Sequence, residues 1–373
     1  MISLSEDPNT VLHPGETVVD YLEAQEWSQS DLARRAGVTP KTISEICNGK
    51  APISPATALS LEKIFGRPAH FWLNLQRRYD EAQARAKEQE RSAQWKKWAA
   101  TFPLREMKKR GWLVHGLPQG EEVPALLSFL GVSSPDSWNR VWGAAAVSYR
   151  QTRKFAKSAE AVSAWVRATE LQADEIDVSE FSKDRLLAAI EPLRRLTRIS
   201  VDAIEDPARH LCASAGVALV WIPELPHTGI SGCARWLTPT KVLIALTMRY
   251  KTDDQLWFTF FHEIAHVLLH LNKTSFVIDN PEGELSDGVV DPEMQKFEDE
   301  ANRFASDTLL PPAELSAFIK ACDFGNDAIH SFADRIGVGP GIVVGRLQHE
   351  KILARHQGNL LKQRIVFSSS THE

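Results

Sequence analysis

The pentapeptide H-E-I-A-H at residues 262–266 constrains this chain more than any other part of its sequence. Residues four apart on an α-helix lie on one face, so the two histidines can bind a single metal ion. In this pattern the imidazoles hold Zn²⁺ and Glu263 is placed beside them as a general base. The sequence therefore predicts a helix over residues 253–270 with one buried side and a zinc site on it.

A third ligand is available on the next predicted helix, which runs from Met294 to Leu310. Glu298 and Asn302 lie four residues apart on one face, so Glu298 can bind zinc while Asn302 hydrogen-bonds a ligand histidine. Glu300 points about 200° away from Glu298 around the helix axis, so both cannot reach one ion. We expect His270, one turn beyond the motif, to support or cap the site rather than to bind the metal.

The run HEIAHVLLH, followed by EDEANRFASDTLLPP, resembles the ImmA/IrrE metallopeptidases. Their pattern is H-E-x-x-H, then E-x-x-A-N-x-F-A and a Leu-Leu-x-Pro ending, and the resemblance covers roughly residues 210–350. It implies Zn²⁺ as the cofactor, with His262, His266 and Glu298 as its ligands. Because family members cleave repressor proteins and so relieve repression of stress or mobile-element genes, it also implies a narrow protein substrate.

Two further elements of a peptidase site are expected but not fixed by the sequence. An oxyanion needs a hydrogen-bond donor, and His227, Arg235 and Tyr250 are the candidates. An extended substrate needs a backbone partner, and the predicted strand over residues 241–246 can supply one by β-augmentation.

Residues 29–48 carry the spacing of a helix-turn-helix. Ala33 is small where two helices cross, Gly37 lies in the turn, and Ile43 and Ile46 are core positions of the second helix. The exposed side of that helix carries polar side chains that can reach base edges, and nearby cations can contact phosphates. The predicted DNA-contacting residues are Thr39, Lys41, Thr42, Ser44, Glu45, Lys50, Arg34 and Arg35.

The stretch HPGETVVDYLEAQEWSQSDLARRAGVTPKTISEICNGKAPISPATALSLEKIFGRPAHFWLNLQRRYD resembles the HigA-type antitoxins, a branch of the Xre/Cro helix-turn-helix repressors. The resemblance runs through nearly all of residues 10–80. It implies a homodimer on operator DNA, repression of the chain's own operon and pairing with a toxin that is a ribonuclease.

A weaker copy of the helix-turn-helix pattern occurs 300 residues later. Gly339 and Gly341 flank its proline and weaken a recognition helix, so we expect this copy to serve packing. The repeated residues are Ala33, Gly37, Val38, Pro40 and Ile43, which recur as Ala333, Gly337, Val338, Pro340 and Val343.

Composition limits the remaining classes of protein. The formal net charge of −5 is unusual for a protein devoted to nucleic acid, so DNA contact requires a local basic patch. The four cysteines form no CxxC pair, which argues against a disulfide framework and a thiolate metal site. The polar start of the chain does not resemble a signal peptide, and no apolar run approaches the ~20 residues of a membrane helix. We expect a cytoplasmic protein that does not bind membranes.

The segment patterns predict an α+β fold that is mainly α-helical. Trp138, Trp142 and Trp165 are the expected core anchors of its helical middle, and β-rich runs at 217–222 and 241–246 predict a small sheet before the H-E-x-x-H helix. The expected domains are a five-helix DNA-binding domain (1–80), a helical linker (81–110), a helical middle region (111–200), a zincin-like metallopeptidase domain (201–320) and a helical tail (321–373).

The function expected from these features combines transcriptional regulation with zinc-dependent endopeptidase activity, in a toxin–antitoxin, stress-response or mobile-element system. A cognate toxin or a repressor protein is the expected protein partner or substrate. Two other hypotheses stay open. In one, the chain is a DNA-binding antitoxin and autorepressor whose zinc domain is a non-catalytic sensor or scaffold. In the other, the helix-turn-helix of a peptidase docks proteins instead of DNA.

Overall fold

The computed structural model describes residues 11–114, 116–118, 120–150, 158–226, 228–247, 252–270, 276–279 and 292–365. The chain divides into two compact units, the first comprising Met1–Lys97 with Pro118–Pro124 and the second Trp98–Leu117 with Ala125–Glu373. Within the described ranges, none of the helices combines the length and apolar character that crossing a bilayer requires.

The first unit packs five helices around one apolar core, as the sequence predicts. Leu32, Ile43 and Trp72 are at most 1% exposed and lie at its centre. Gly15, in the first turn of the first helix, packs against the third helix, where an added Cβ would lie only 1.9 Å from the carbonyl oxygen of Ile46. The helices are α1 (Pro14–Ala24), α2 (Gln29–Ala36), α3 (Pro40–Cys47), α4 (Pro55–Phe65) and α5 (Ala69–Gln94).

Local signals explain where these helices begin and end. Ser28, Thr39 and Ser54 each accept a hydrogen bond from a backbone N–H in the first turn of the helix they cap. Gly37 and Gly66 end α2 and α4 in the left-handed conformation that favours glycine. Beyond these caps, α5 continues without a break for 26 residues, so the chain past residue 80 extends the fifth helix.

Helices dominate the next part of the chain as well. Trp138, Trp142 and Trp165 are buried, as expected for core anchors. Arg110 donates hydrogen bonds to the carbonyl oxygens of Pro223 and Glu224, which ties the end of a short helix to the loop after the first strand. The helices are α6 (Lys96–Ala99), α7 (Leu104–Lys109), α8 (Glu122–Leu130), α9 (Pro135–Arg150), α10 (Ala159–Asp174), α11 (Lys183–Arg195) and α12 (Glu205–Ser214).

The second unit contains a small mixed sheet with the strand order β1-β3-β2-β4. Strands β1 and β3 are parallel and correspond to the two predicted strands, whereas β2 runs antiparallel to both β3 and β4. The sequence did not predict β2 or β4. The strands are β1 (Val217–Trp221), β2 (Gly232–Thr238), β3 (Lys241–Leu246) and β4 (Phe276–Asp279).

This strand order contradicts the expectation that the 241–246 strand pairs with a substrate. Strand β3 lies between β1 and β2, and both partners use its backbone hydrogen-bonding groups along their shared register. A strand can add another chain only along an unpaired edge. Residues 241–246 therefore have no edge to offer, and the edges of the described sheet belong to β1 and β4.

The remaining helices enclose the long buried helix that carries the H-E-x-x-H motif. That helix packs against the sheet on one side and against two later helices on others. The residues that follow it directly, His266–His270, form a π-helical turn. These helices are α13 (Asp253–Ala265), α14 (Pro292–Leu309), α15 (Pro312–Ala321), α16 (Asn326–Ile336) and α17 (Pro340–His349).

Helices α16 and α17 are the copy of the helix-turn-helix pattern, and they serve packing as expected. Helix α17 buries Ile342, Val343 and Leu347 in the core of the second unit and packs along α13. The architecture as a whole is the mainly α-helical α+β fold that the sequence predicts.

Candidate metal centre and nucleic-acid interface

Helix α13 is buried because it is apolar on nearly every side. Trp257, Phe260, Phe261 and Ile264 are each at most 1% exposed, and a helix that is apolar all round is stable only inside a protein. The polar residues of the motif are carried inward with it. His262 and His266 are 1% exposed and Glu263 is fully buried.

The structure brings the two motif histidines and Glu298 together. The Nε2 atoms of His262 and His266 lie 2.8 Å apart. The carboxylate of Glu298, from α14, lies 3.3 Å from the first of these nitrogens and 3.6 Å from the second. One ligand atom from each of the three residues falls within 4.8 Å of the others, a spacing that can hold a single metal ion.

Hydrogen bonds on the far sides of the rings orient both histidines. Asn302 presents its Oδ1 atom 3.0 Å from Nδ1 of His262, one turn after Glu298 on the same helix. On the second ring, Nδ1 of His266 lies 3.2 Å from Nδ1 of His270. Such contacts set the ring tautomer, so that Nε2 of each histidine keeps its lone pair for a metal.

Glu300 does not join this cluster. It lies on a different face of α14 from Glu298, as the helical geometry predicts, and one of its oxygens lies 2.8 Å from Nε2 of His270. The sequence identified Glu300 only as an alternative ligand. Its contact with His270 joins residues 30 apart in the chain, and nothing in the local pattern indicated it.

The donor set fits zinc. Burial, reinforced by the nearby His262 and His270, lowers the pKa of His266 to about 2, so this imidazole is neutral at physiological pH. Two imidazoles and one carboxylate are ligands that open zinc sites use. Among the described residues this is the one cluster of histidine, cysteine and acidic side chains with the spacing of a metal site.

Gly232 is a site residue that sequence reasoning missed. An added Cβ at this position of β2 would lie 2.4 Å from Oε1 of Glu263 and 2.9 Å from two of its carbon atoms. The buried carboxyl group therefore occupies space that any other residue in the strand would fill. A glycine inside a strand is the available signal for such an approach, but β2 itself was not predicted.

Of the three candidate oxyanion donors, the structure describes one. The guanidinium of Arg235 donates to the carboxylate of Glu170 on α10, so this arginine is already engaged in an ion pair. His227 and Tyr250 lie outside the described residues.

The predicted DNA-contacting residues lie on α2, at the N-cap of α3, along α3 and in the turn that follows it. Lys41 is the most exposed of those on α3, and it lies 3.8 Å from Glu45 one turn later. Thr39 and Thr42 share a 2.9 Å hydrogen bond, and Ser44 accepts one from Asn48. The polar surface of α3 is thus present as expected, although neighbouring side chains contact much of it.

The two arginines of α2 make contacts that the sequence did not predict. Arg34 forms a 2.9 Å ion pair with Asp31, one turn earlier. The guanidinium of Arg35 lies 3.9 Å from the ring centre of Trp27, a cation–π contact. The basic patch of this domain is therefore partly neutralised, with Lys41 and Lys50 as its other cations.

Comparison with known proteins identifies both regions. The family model described as Helix-turn-helix matches residues 19–72, and the one described as IrrE N-terminal-like domain matches residues 235–348. Virulence-associated protein I of Dichelobacter nodosus is 40% identical over 70 residues, which are 18% of this chain and 65% of that protein. An uncharacterised HTH-type transcriptional regulator of Escherichia coli K12 is 32% identical over 71 residues, 19% of this chain and 76% of the regulator.

A solved structure of the Pseudomonas aeruginosa antitoxin HigA with the higBA promoter is 33% identical, over 22% of this chain and 89% of that one, with a TM-score of 0.21. This chain spans 65% of the length of the first relative and 76% of the length of the second. By sequence, the chain belongs to the helix-turn-helix family of transcriptional regulators and joins to that domain an IrrE N-terminal-like domain, in which His262, Glu263 and His266 lie.

Proposed function

We propose that this regulator binds operator DNA through its helix-turn-helix domain and cleaves a specific protein through a zinc-dependent endopeptidase site in its IrrE-like domain. The observation that carries the enzymatic part is the convergence of His262, His266 and Glu298 beside the fully buried Glu263. A structural zinc site would not require a buried acid next to its ligands, whereas a hydrolytic site needs a base there.

In this proposal the three converging residues hold the metal and Glu263 handles protons. Zinc, when bound, supplies a Lewis acid that lets water lose a proton near neutral pH. Glu263 accepts that proton and passes it to the leaving amine of the cleaved peptide bond. The close fit of Gly232 against Glu263 limits where the carboxyl group can lie, which keeps it beside the two histidines.

The regulatory part of the proposal concerns α3. This helix has a buried side that fixes it in the domain and an outer side rich in short polar residues and lysine. The relatives of this chain include an HTH-type transcriptional regulator, and the structure of one similar antitoxin was solved with a promoter. We propose that two copies of this chain bind a two-fold operator, in a toxin–antitoxin or stress-response system whose toxin or repressor is the protein partner.

The decisive experiment compares the wild-type protein with Glu263→Gln. The amide cannot accept the proton, so cleavage should fall by about 10² or more while zinc content and folding are retained. Both proteins are incubated with the products of neighbouring genes, with and without upstream DNA, and new fragments are identified by mass spectrometry. A casein assay is not suitable, because a narrow substrate range is part of the proposal.

Elemental analysis supplies the companion measurement. Wild type should hold about one zinc per chain, and His262→Ala and Glu298→Ala should lose it. Equal cleavage by wild type and Glu263→Gln would point to a contaminating protease. If no fragments form under any condition while DNA binding is intact, the antitoxin with a non-catalytic zinc domain becomes the better description.

A further inference from the structure

A chain of three polar side chains extends outward from the second motif histidine. Nδ1 of His266 lies 3.2 Å from Nδ1 of His270, and Nε2 of His270 lies 2.8 Å from a carboxylate oxygen of Glu300. On the first motif histidine, the outer nitrogen lies 3.0 Å from Oδ1 of Asn302, a side-chain amide rather than an imidazole. The two motif histidines are therefore supported differently.

We propose that Glu300 is a positioning residue for the metal site and acts on His266 through His270. This inference rests on the proposed function, because it assigns His266 as a zinc ligand. A carboxylate that accepts a hydrogen bond from the outer nitrogen of a ligand histidine fixes the orientation of that ring and makes it a better ligand. Here an additional imidazole is inserted between the carboxylate and the ligand ring.

The direction of each hydrogen bond follows from what each group can do. The carboxylate of Glu300 only accepts, so Nε2 of His270 must carry the proton. In a neutral ring, Nδ1 of His270 is then an acceptor, and Nδ1 of His266 must donate to it. Nε2 of His266, on the side facing His262 and Glu298, is left with its lone pair. With neutral rings, this proton arrangement satisfies both contacts of His270 and prepares His266 for a metal.

The surroundings of His270 hold this arrangement in place. Its side chain is 3% exposed, and its ring stacks on Phe297 with the centroids 4.5 Å apart and the planes 22° from parallel. Phe297 and Glu300 both lie on α14, which also carries Glu298. One helix thus supplies the third ligand, the ring that clamps His270 and the carboxylate that orients it.

Zinc affinity tests the proposal, measured on the full-length protein by competition with a chelator of known strength. Glu300→Ala and His270→Ala should each weaken zinc binding by about 10- to 100-fold. Glu300→Gln keeps an acceptor oxygen at the same reach, so it should recover most of the loss. The matched control is Asp299→Ala, which removes the same charge from the adjacent, exposed position of α14.

The double variant separates positioning from general damage. If Glu300 acts through His270, removing both should weaken zinc binding no more than His270→Ala alone does. Additive losses, or a Glu300→Ala protein that binds zinc as tightly as Asp299→Ala, would overturn the inference. A wild-type protein that binds no zinc would refute the metal site itself, and intact zinc affinity without cleavage would count only against the proposed enzymatic function.

Discussion

The chain contains the same local structure twice and uses it in opposite ways. In the N-terminal copy, α2 ends at Gly37 in the left-handed conformation and α3 follows three residues later. In the C-terminal copy, α16 ends at Gly337 in the same conformation and α17 follows after the same interval. Even the turn hydrogen bond recurs, from Val38 to Ala33 at 3.1 Å and from the equivalent valine to the equivalent alanine at 3.0 Å.

The difference lies in the second helix. Where α3 has Lys41 and Glu45, both reaching solvent, α17 has Gly341 and Gly345. A Cβ at Gly341 would lie 2.4 Å from a carboxylate oxygen of Asp253, and one at Gly345 would lie 2.4 Å from Asp254. The two glycines let α17 pack directly on the first turn of α13. A helix-turn-helix pattern therefore specifies a helix pair, and the residues on the outer face decide whether that pair can meet DNA.

The largest effect is expected from adding a side chain at one of the glycines that distinguish α17 from α3. Gly345→Leu should destabilise the protein by about 3 kcal/mol, because it displaces Asp254 from its 2.7 Å ion pair with Lys362 in a buried site. Glu45→Leu, at the equivalent position of α3, should change stability by no more than about 0.5 kcal/mol. Urea unfolding followed by circular dichroism measures both. Equal stabilities would mean that α17 is not tightly packed on α13.

The pH dependence of stability should also separate the two regions. Burial, and then the charge of Asp254, raise the pKa of Asp253 from 3.8 to about 6. Because folding disfavours the charged form of Asp253, its contribution to the free energy of unfolding is fully present below about pH 4. That contribution is lost as the pH rises through 6. Between pH 4 and pH 8, wild type should lose about 2 to 3 kcal/mol of unfolding free energy relative to Asp253→Asn.

The N-terminal copy provides an acid with the opposite behaviour. A side-chain hydrogen bond from Ser28 lowers the pKa of Asp31 below its usual value. The contribution of Asp31 to stability is therefore present at pH values above the usual pKa and is lost as the pH falls through the lowered pKa. Urea titrations of Asp253→Asn and Asp31→Asn over the same pH series should therefore diverge from wild type in opposite directions. Parallel curves would contradict the assignment of Asp253 as a buried, destabilised carboxylate.

DNA binding should depend on the exposed copy alone. Thr42→Ala or Ser44→Ala should change sequence preference, by about 1 to 3 kcal/mol for a side chain that contacts a base. Lys41→Ala or Lys50→Ala should weaken binding to all sequences. Each change should also reduce the slope of the logarithm of the binding constant against the logarithm of the salt concentration by about one. Fluorescence anisotropy with upstream DNA at several salt concentrations measures both effects.

The control for this prediction comes from the buried copy. Arg346 of α17 forms a 2.8 Å ion pair with Glu350, and Arg346→Ala removes a positive charge without touching α3. It should leave DNA binding unchanged. A loss with this variant, or no effect from any of the four changes in the first copy, would place the DNA contact elsewhere on the chain.

The smallest expected effect concerns how the two second helices begin. Thr39 caps α3 by accepting a 3.2 Å hydrogen bond from the backbone of Thr42, so Thr39→Ala should cost about 1 kcal/mol and Thr39→Ser much less. Gly339 occupies the same place before α17, and its added Cβ would lie 2.3 Å from the carbonyl oxygen of Thr197. Gly339→Thr should therefore destabilise the protein, although threonine is the better cap. A stabilised Gly339→Thr protein would show that this backbone approach is loose.

Sequence patterns predicted the elements whose information is local. The spacing of the motif put two histidines on one helix face, cap residues fixed the starts of α3 and α4, and apolar β-rich runs identified β1 and β3. Strand β2 was missed because Gly232, Arg235 and Trp236 break the apolar pattern, its burial changing along its length. The prediction that residues 241–246 pair with a substrate was wrong, because the residues of a strand do not specify which strands lie beside it in the sheet.

The sequence by itself determined the helix pairs, the motif helix and the identity of the residues able to bind a metal, because each depends on neighbours within a few positions. Tertiary structure decided further contacts that no sequence pattern indicated. It placed Glu300 against His270, Glu263 against Gly232 and the two aspartates against the glycines of α17. These contacts join elements far apart in sequence, and their selection depends on how whole helices and strands pack into the remaining space.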